Sequence, residues 1–276
     1  MAVTAGGQTE TKVKFQRCVC PLLFLFLLYG FLMKTDAAQK IAVVDFADQW
    51  TQVDALRQTL DEFKVQYDDL TEDIENGKLK FEVEHKLFFI GSMTTNDPKL
   101  HQSLDDNAQE IQDFVKNGGI VIEPTQADQN EANVDWLPNG LQCIRSDRDS
   151  KDFKILKADH SLFAAPNKMG KKEFQGWGHQ GWPTVWEVIA SQKGFDIIME
   201  SIGNPVIMEA DFGKGKFVMM SLAPDKYHIK GNDENTKKMA GKFMENILEA
   251  YKPKAVDVTS KLASRWAELK SHSVLH

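Results

Sequence analysis

Three acids in this chain close apolar runs, where a buried strand would deliver them to the rim of a sheet. Asp45 ends Lys40-Ile-Ala-Val-Val, Glu123 ends Ile120-Val-Ile, and Asp225 follows Met219-Met-Ser-Leu-Ala-Pro. Carboxylates gathered at one crevice can exchange protons with a substrate or hold a cation. The plainer alternative is that each acid caps the next helix or sits in solvent. His179 is the histidine placed to join them, within Phe174-Gln-Gly-Trp-Gly-His-Gln-Gly-Trp-Pro-Thr-Val-Trp186, a stretch holding three of the six tryptophans. Trp177, His179 and Trp182, with Asp225 beside them, would make a wall for a sugar or another flat ligand through ring stacking and hydrogen bonds. The alternative there is that the tryptophans simply bury area as core. His160, in Ala158-Asp-His-Ser-Leu, reads as a residue that fixes a turn.

Other chemistries are disfavoured. The histidines are scattered and no Cys-x-x-Cys pair occurs beyond residue 37, so no metal is expected. Gly213-Lys-Gly215 is too short for a phosphate loop and lies between two strand-like runs, so no nucleotide or other cofactor is expected.

The elements that must position these residues alternate in type. Residues 40–46, 65–67, 86–90 and 120–122 read as strands. Val53, Leu56, Leu60 and Phe63 mark a helix with Asp48 as its N-cap. Leu104, Ala108, Ile111 and Val115 fall on one helical stripe, which Gly118-Gly119 terminates in left-handed geometry. Ile120-Val-Ile122 is β-branched and uninterrupted, as in a strand covered on both faces. Residues 126–154 break the pattern and read as an insertion of loops and short elements. Strands are expected again within 153–158, at 195–200, at 205–210 and at 217–222, the last two joined as a hairpin through Gly213 and Gly215. A final helix carries Met239, Phe243 and Ile247 and is stopped by Pro253. The fold class expected is α/β: a flavodoxin-like three-layer domain with a mostly parallel sheet and a late antiparallel hairpin. Residues 41–44, 88–90 and 120–122 should be neighbouring parallel strands.

The 276 residues begin with Lys12, Lys14 and Arg17 ahead of a sixteen-residue apolar run, 18–33, and small residues at Thr35-Asp-Ala37. This is the pattern of a signal peptide spanning 1–37, which implies a secreted or secretory-pathway protein. The alternative is an uncleaved type II signal anchor, the one case in which a membrane is a partner. Beyond residue 37 the chain has 29 basic and 38 acidic residues, a net charge of −9, which excludes nucleic acid as an obvious partner. Residues 38–251 suit one α/β domain, and 252–276 form a tail with Val258, Leu262, Trp266 and Leu269 at helical spacing. Cys143 is the sole thiol beyond residue 37, so no intramolecular disulfide is possible there. Its place between Leu141-Gln and Ile144 suggests a buried apolar side chain.

The strand–helix order, the Gly118-Gly119 strand entry, the Asp159-His-Ser-Leu-Phe163 knob and the Asp211-Phe-Gly-Lys-Gly-Lys-Phe-Val218 hairpin leading to Ser221-Leu-Ala-Pro-Asp225 resemble the class I glutamine amidotransferase-like superfamily. Within it, the likeness is to the ThuA-like, non-amidotransferase branch, over roughly residues 40–251. In amidotransferases of that superfamily the strand after the glycine stop leads to a cysteine between glycines, later joined by a His-x-Glu dyad. Here the turn reads Glu123-Pro-Thr-Gln-Ala127, and the nearest late histidine is His228, in Lys226-Tyr-His-Ile-Lys230. Thiolate attack needs the cysteine at a sharp turn beside a base, so the resemblance implies the fold without the glutaminase.

Two functions follow. The first is a non-catalytic module that binds a carbohydrate or a protein partner. The second is a hydrolase or isomerase of small sugars or polyols, using Asp45, Glu123 and His179 in place of the cysteine. The first is favoured, because no nucleophile–base pair can be named. The two differ over whether those three side chains converge.

Overall fold

The computed structural model describes residues 40–124, 134–146, 148 and 150–251. The expectations for the signal segment, the tail and Thr125 lie outside the described residues. Among those described, no helix is long and apolar enough to cross a membrane.

The chain is an α/β domain built on an eight-stranded sheet. β1 (Lys40–Val44) pairs in parallel with β2 (Tyr67–Asp69) and with β3 (His85–Ile90), and β3 pairs in parallel with β4 (Ile120–Glu123). β10 (Gly215–Met220) lies parallel to β4 and forms a hairpin with β9 (Asn204–Phe212). β8 (Asp196–Ser201) and the two-residue β6 (Lys154–Ile155) continue the sheet in antiparallel fashion. The order is β2-β1-β3-β4-β10-β9-β8-β6. Its first five strands are parallel in flavodoxin-like order, as the sequence pattern predicts.

The apolar runs are continuous because both faces of the sheet are covered. Successive residues alternate between two cores, Ile41, Val43, Leu87 and Phe89 facing one, Ala42, Val44, Phe88 and Ile90 the other. α1 (Ala55–Glu62) and the long α8 (Glu234–Tyr251) cover the first core, through Leu56, Leu60, Phe243 and Ile247. α3 (Pro98–Asp106) and α4 (Ala108–Lys116) cover the second, through Leu100, Leu104, Ile111 and Val115. α2 (Thr71–Glu75) adds Ile74 to that face.

Several local expectations shift. The single apolar stripe from Leu104 to Val115 is divided between α3 and α4 at Asn107. β2 begins two residues later than Val65, and only two residues of the 153–158 stretch pair as a strand. The supposed insertion contributes β5 (Gln142–Ser146), which pairs with β7 (Val188–Lys193) in a separate two-stranded antiparallel sheet. Both strands mix polar with apolar residues, so their periodicity is faint. α7 (Pro224–Lys230) follows β10, with a proline in its first turn. Short α5 (Ser161–Ala164) is capped by His160, whose Nδ1 accepts from the Leu162 N–H at 3.3 Å. That is the turn-fixing role expected of it.

The glycine stop works in two steps. Gly118 has φ +109°, and Gly215 of the neighbouring strand lies so close that a Cβ there would stand 2.0 Å from the Gly119 carbonyl oxygen and 2.2 Å from that of Val115. Both obstacles are backbone and cannot turn aside. Gly215→Ala is expected to destabilise the fold by about 1–3 kcal/mol, the usual cost of overpacking, read as a lowered urea midpoint at constant slope.

Candidate functional site

In an open α/β sheet the ligand crevice lies beyond the strand carboxyl ends where the strand order reverses, here between β1 and β3. The crevice is filled by the chain itself. The first turn of α7 straddles the two outgoing loops. Asp225 accepts from the Ser92 N–H at 3.0 Å and from the Ser92 hydroxyl, which fixes the loop after β3. Lys226, with a side chain fully buried, donates to the Phe46 carbonyl at 3.0 Å, to the Val53 carbonyl at 2.6 Å and to Asp48 at 3.0 Å. An ammonium group has three protons, and all three are used.

Asp48 is therefore not the N-cap of α1. That position belongs to Asp54, while Asp48 gathers the Trp50 and Thr51 N–H groups at 2.9 Å each, the Thr51 hydroxyl and Lys226. Burial works against its charge, but the Lys226 ammonium and the Thr51 donors outweigh it and hold the Asp48 carboxyl below its usual range.

Asp45 sits against Gly91, where a Cβ would stand 2.1 Å from its Oδ1. It accepts from the Phe46 N–H at 2.9 Å and the Arg57 N–H at 3.0 Å. Burial pushes its carboxyl up to about 7; Lys226 opposes the shift and the neighbouring Asp225 reinforces it. The next loop is strained, with Met93 at φ 65°, a left-handed value uncommon outside glycine.

Glu123 belongs to a different cluster. Its carboxylate meets the fully buried Arg145 guanidinium at 3.2 Å, and Arg145 also donates to the Glu123 carbonyl at 3.3 Å. Burial raises the Glu123 carboxyl, with Arg145 and then His101 opposing. Arg145 is held in its charged form against burial by Glu123 and, less strongly, by Glu187. The Cys143 thiol is pushed up to about 12 by burial, so it is not a thiolate at neutral pH.

The tryptophan stretch is largely core. Trp177 is 2% exposed and its Nε1–H donates to the Glu173 carbonyl at 2.7 Å; Trp186 is 4% exposed and its Nε1–H donates to the Tyr227 hydroxyl. Trp182 alone is half-buried, 5.7 Å from Trp186 between ring centroids. Of the wall expected from Trp177, His179 and Trp182, only the Trp182 ring is partly exposed. His179 is buried, and its Nδ1 lies 2.6 Å from the Lys230 carbonyl. A carbonyl only accepts, so the Nδ1–H donates to it.

No family model matches this chain. Nor does any curated protein. Among solved structures, it is similar to an exo-β-1,4-mannosidase from Opitutaceae bacterium strain TAV5, with 11% identity and a TM-score of 0.39 over 68% of this chain. It is also similar to a β-galactosidase from Bacillus circulans sp. alkalophilus, with 13% identity and a TM-score of 0.41 over 77% of this chain. The chain spans about a third of the length of each, 32% and 31%. A cytoplasmic protein of Salmonella typhimurium LT2 is matched over its whole length, with 13% identity and a TM-score of 0.45 over 78% of this chain.

The three residues suggested for acid–base work therefore have separate partners: Asp45 has Lys226, Asp225 and Arg57, Glu123 has Arg145, and His179 has the Lys230 carbonyl. Ser92, Asp48, Lys226 and Arg145 carry the contacts that the sequence reading missed. Lys226 stands next to Asp225, but nothing in Pro224-Asp-Lys-Tyr marks an ammonium for burial.

Two outcomes test this geometry. Lys226→Met leaves Asp48 buried without its cation and should cost about 3–5 kcal/mol, with part recovered in Asp48→Asn/Lys226→Met, both read from urea denaturation. For Asp45, the folded carboxyl titrates near 7 and the unfolded one near ~3.9. Between those values the folded state holds a proton that the unfolded state has lost, so its stabilising contribution declines as pH rises through that window. The stability difference between the natural chain and Asp45→Asn should accordingly fall from about pH 4 to pH 7 and be flat above it.

Proposed function

We propose that this chain is a non-catalytic α/β binding module of glutamine amidotransferase-like, ThuA-like type, acting in the secretory pathway, with carbohydrate as its ligand. The observation that carries the non-catalytic reading is the occupied crevice. Lys226 and Asp225 fill the place where a sheet of this topology would receive a substrate, and every proton of the ammonium is already bonded within the chain.

Electrostatics supports the same reading. Catalysis by acid–base exchange needs a carboxyl or imidazole within hydrogen-bond reach of substrate. Asp45, Glu123 and Asp225 are each no more than 1% exposed. Burial pushes the Asp45 carboxyl up to about 7, which is the feature that a hydrolase or isomerase would use. It faces Gly91 and Lys226 rather than solvent, and Glu123 and His179 are engaged elsewhere.

Two surfaces could take a carbohydrate: the half-buried Trp182 ring, which can stack on a pyranose face, and an open groove at the far edge of the sheet lined by Ile155 and Ile202. Incubation of the chain with a panel of p-nitrophenyl glycosides should release nitrophenol no faster than buffer. Thermal shift with neutral oligosaccharides should raise the melting temperature of the same preparation. Turnover that disappears in Asp45→Asn would overturn the non-catalytic reading.

A further inference from the structure

The far edge of the sheet carries a groove of about 800 Å³, within the range of roughly 300–1,000 Å³ typical of small-ligand sites. It runs along β6, between α5, α6 (Lys171–Phe174) and the turn from β8 to β9. Nothing in the crevice cluster touches it. We infer that this groove is the ligand site and that its ligand is a short neutral oligosaccharide; the inference rests on the binding-module reading.

Three features lead to that ligand class. The floor is apolar: Ile155 is half-buried and Ile202 is 51% exposed, while Phe153, Phe163 and Met169 line the groove from beneath with little surface of their own. A pyranose presents a face of C–H groups that such a floor can cover. The rim is polar and balanced, with Lys154, Lys168 and Lys171 against Asp152, Glu173 and Glu200. Equal numbers of cations and anions give no net field to draw a charged ligand, whereas they supply both donors and acceptors to a ring of hydroxyls, each of which donates and accepts.

The rim charges are also held loosely enough to reorganise. Lys154 lies 3.7 Å from Glu200, and Lys171 lies 2.8 Å from Asp152, in pairs whose side chains are 71% and 30% and then 53% and 74% exposed. Ion pairs this open to water are weak, so hydroxyls can insert between the partners at little cost. Lys171 also stands 5.9 Å over the Phe153 ring, which joins rim to floor. The groove offers both parts of what a sugar needs, and on a larger scale than the single Trp182 ring.

The test uses the full chain and isothermal titration with cellotriose, maltotriose, mannotriose and xylotriose, and with trigalacturonate as an anionic counterpart. At least one neutral trisaccharide should bind, and trigalacturonate should bind at least tenfold more weakly. Lys154→Ala/Glu200→Ala changes partly exposed side chains and should retain the natural melting temperature while weakening that binding tenfold or more. Trp182→Ala should leave it within twofold. Equal affinity in the natural chain and the groove variant, or loss in Trp182→Ala alone, would overturn the groove while leaving the binding module standing. Tighter binding of trigalacturonate would overturn the neutral ligand class. Absence of any trisaccharide binding would remove both the groove site and the carbohydrate ligand, whereas the non-catalytic reading is decided separately by turnover.

Discussion

A buried ammonium must find three acceptors or lose most of its solvation energy, and Lys226 finds them on a loop 180 residues away in sequence. That contact joins the start of the domain to its end. Phe46, Asp48 and Val53 lie on the loop from β1 to α1, and Lys226 lies on the helix that follows the last strand. Asp225 makes the matching tie to the loop after β3. Two adjacent side chains therefore hold together the carboxyl ends of β1 and β3, where the sheet would otherwise open into a cleft. The arrangement is costly in desolvation and repays it only with complete hydrogen bonding, which Asp48 and the two carbonyls supply.

That constraint decides what the crevice can do. Flavodoxin-like sheets place ligands at the reversal of strand order because the two adjacent loops diverge there. In this chain the loops are drawn onto α7, and the polar atoms point at each other. The elevated Asp45 carboxyl is a consequence of its burial against Gly91, beside Asp225, rather than a sign of exposed acid–base chemistry. The far edge of the sheet contrasts with it. There the charged side chains are open to water and only weakly paired.

The fold was legible in the sequence because the strands are buried on both faces and so appear as unbroken apolar runs. Residues 41–44, 88–90 and 120–122 could be ordered on that basis, and Gly213 and Gly215 marked the hairpin. β5 and β7 were not legible, since Gln142-Cys-Ile-Arg-Ser146 and Val188-Ile-Ala-Ser-Gln-Lys193 alternate imperfectly and pair at a distance of about fifty residues. The site was legible in part. Asp45, Glu123 and Asp225 do lie at strand ends, but their partners are Lys226, Arg145 and Ser92, and no local pattern announces a cation destined for burial. For Trp177 and His179 the sequence left a binding wall and a buried core both open, because glycine-rich surroundings suit either; the rings pack against Phe174, Trp186 and Tyr227 as core.

The claim that the crevice is closed by the chain's own lysine can be measured directly by reductive methylation of the native protein, followed by peptide mass spectrometry. The account predicts that Lys226 stays unmodified while Lys154, Lys168 and Lys171 are dimethylated, and that Lys226 becomes reactive only in denaturant. Methylation of Lys226 in the native protein at the rate of those exposed lysines would contradict it.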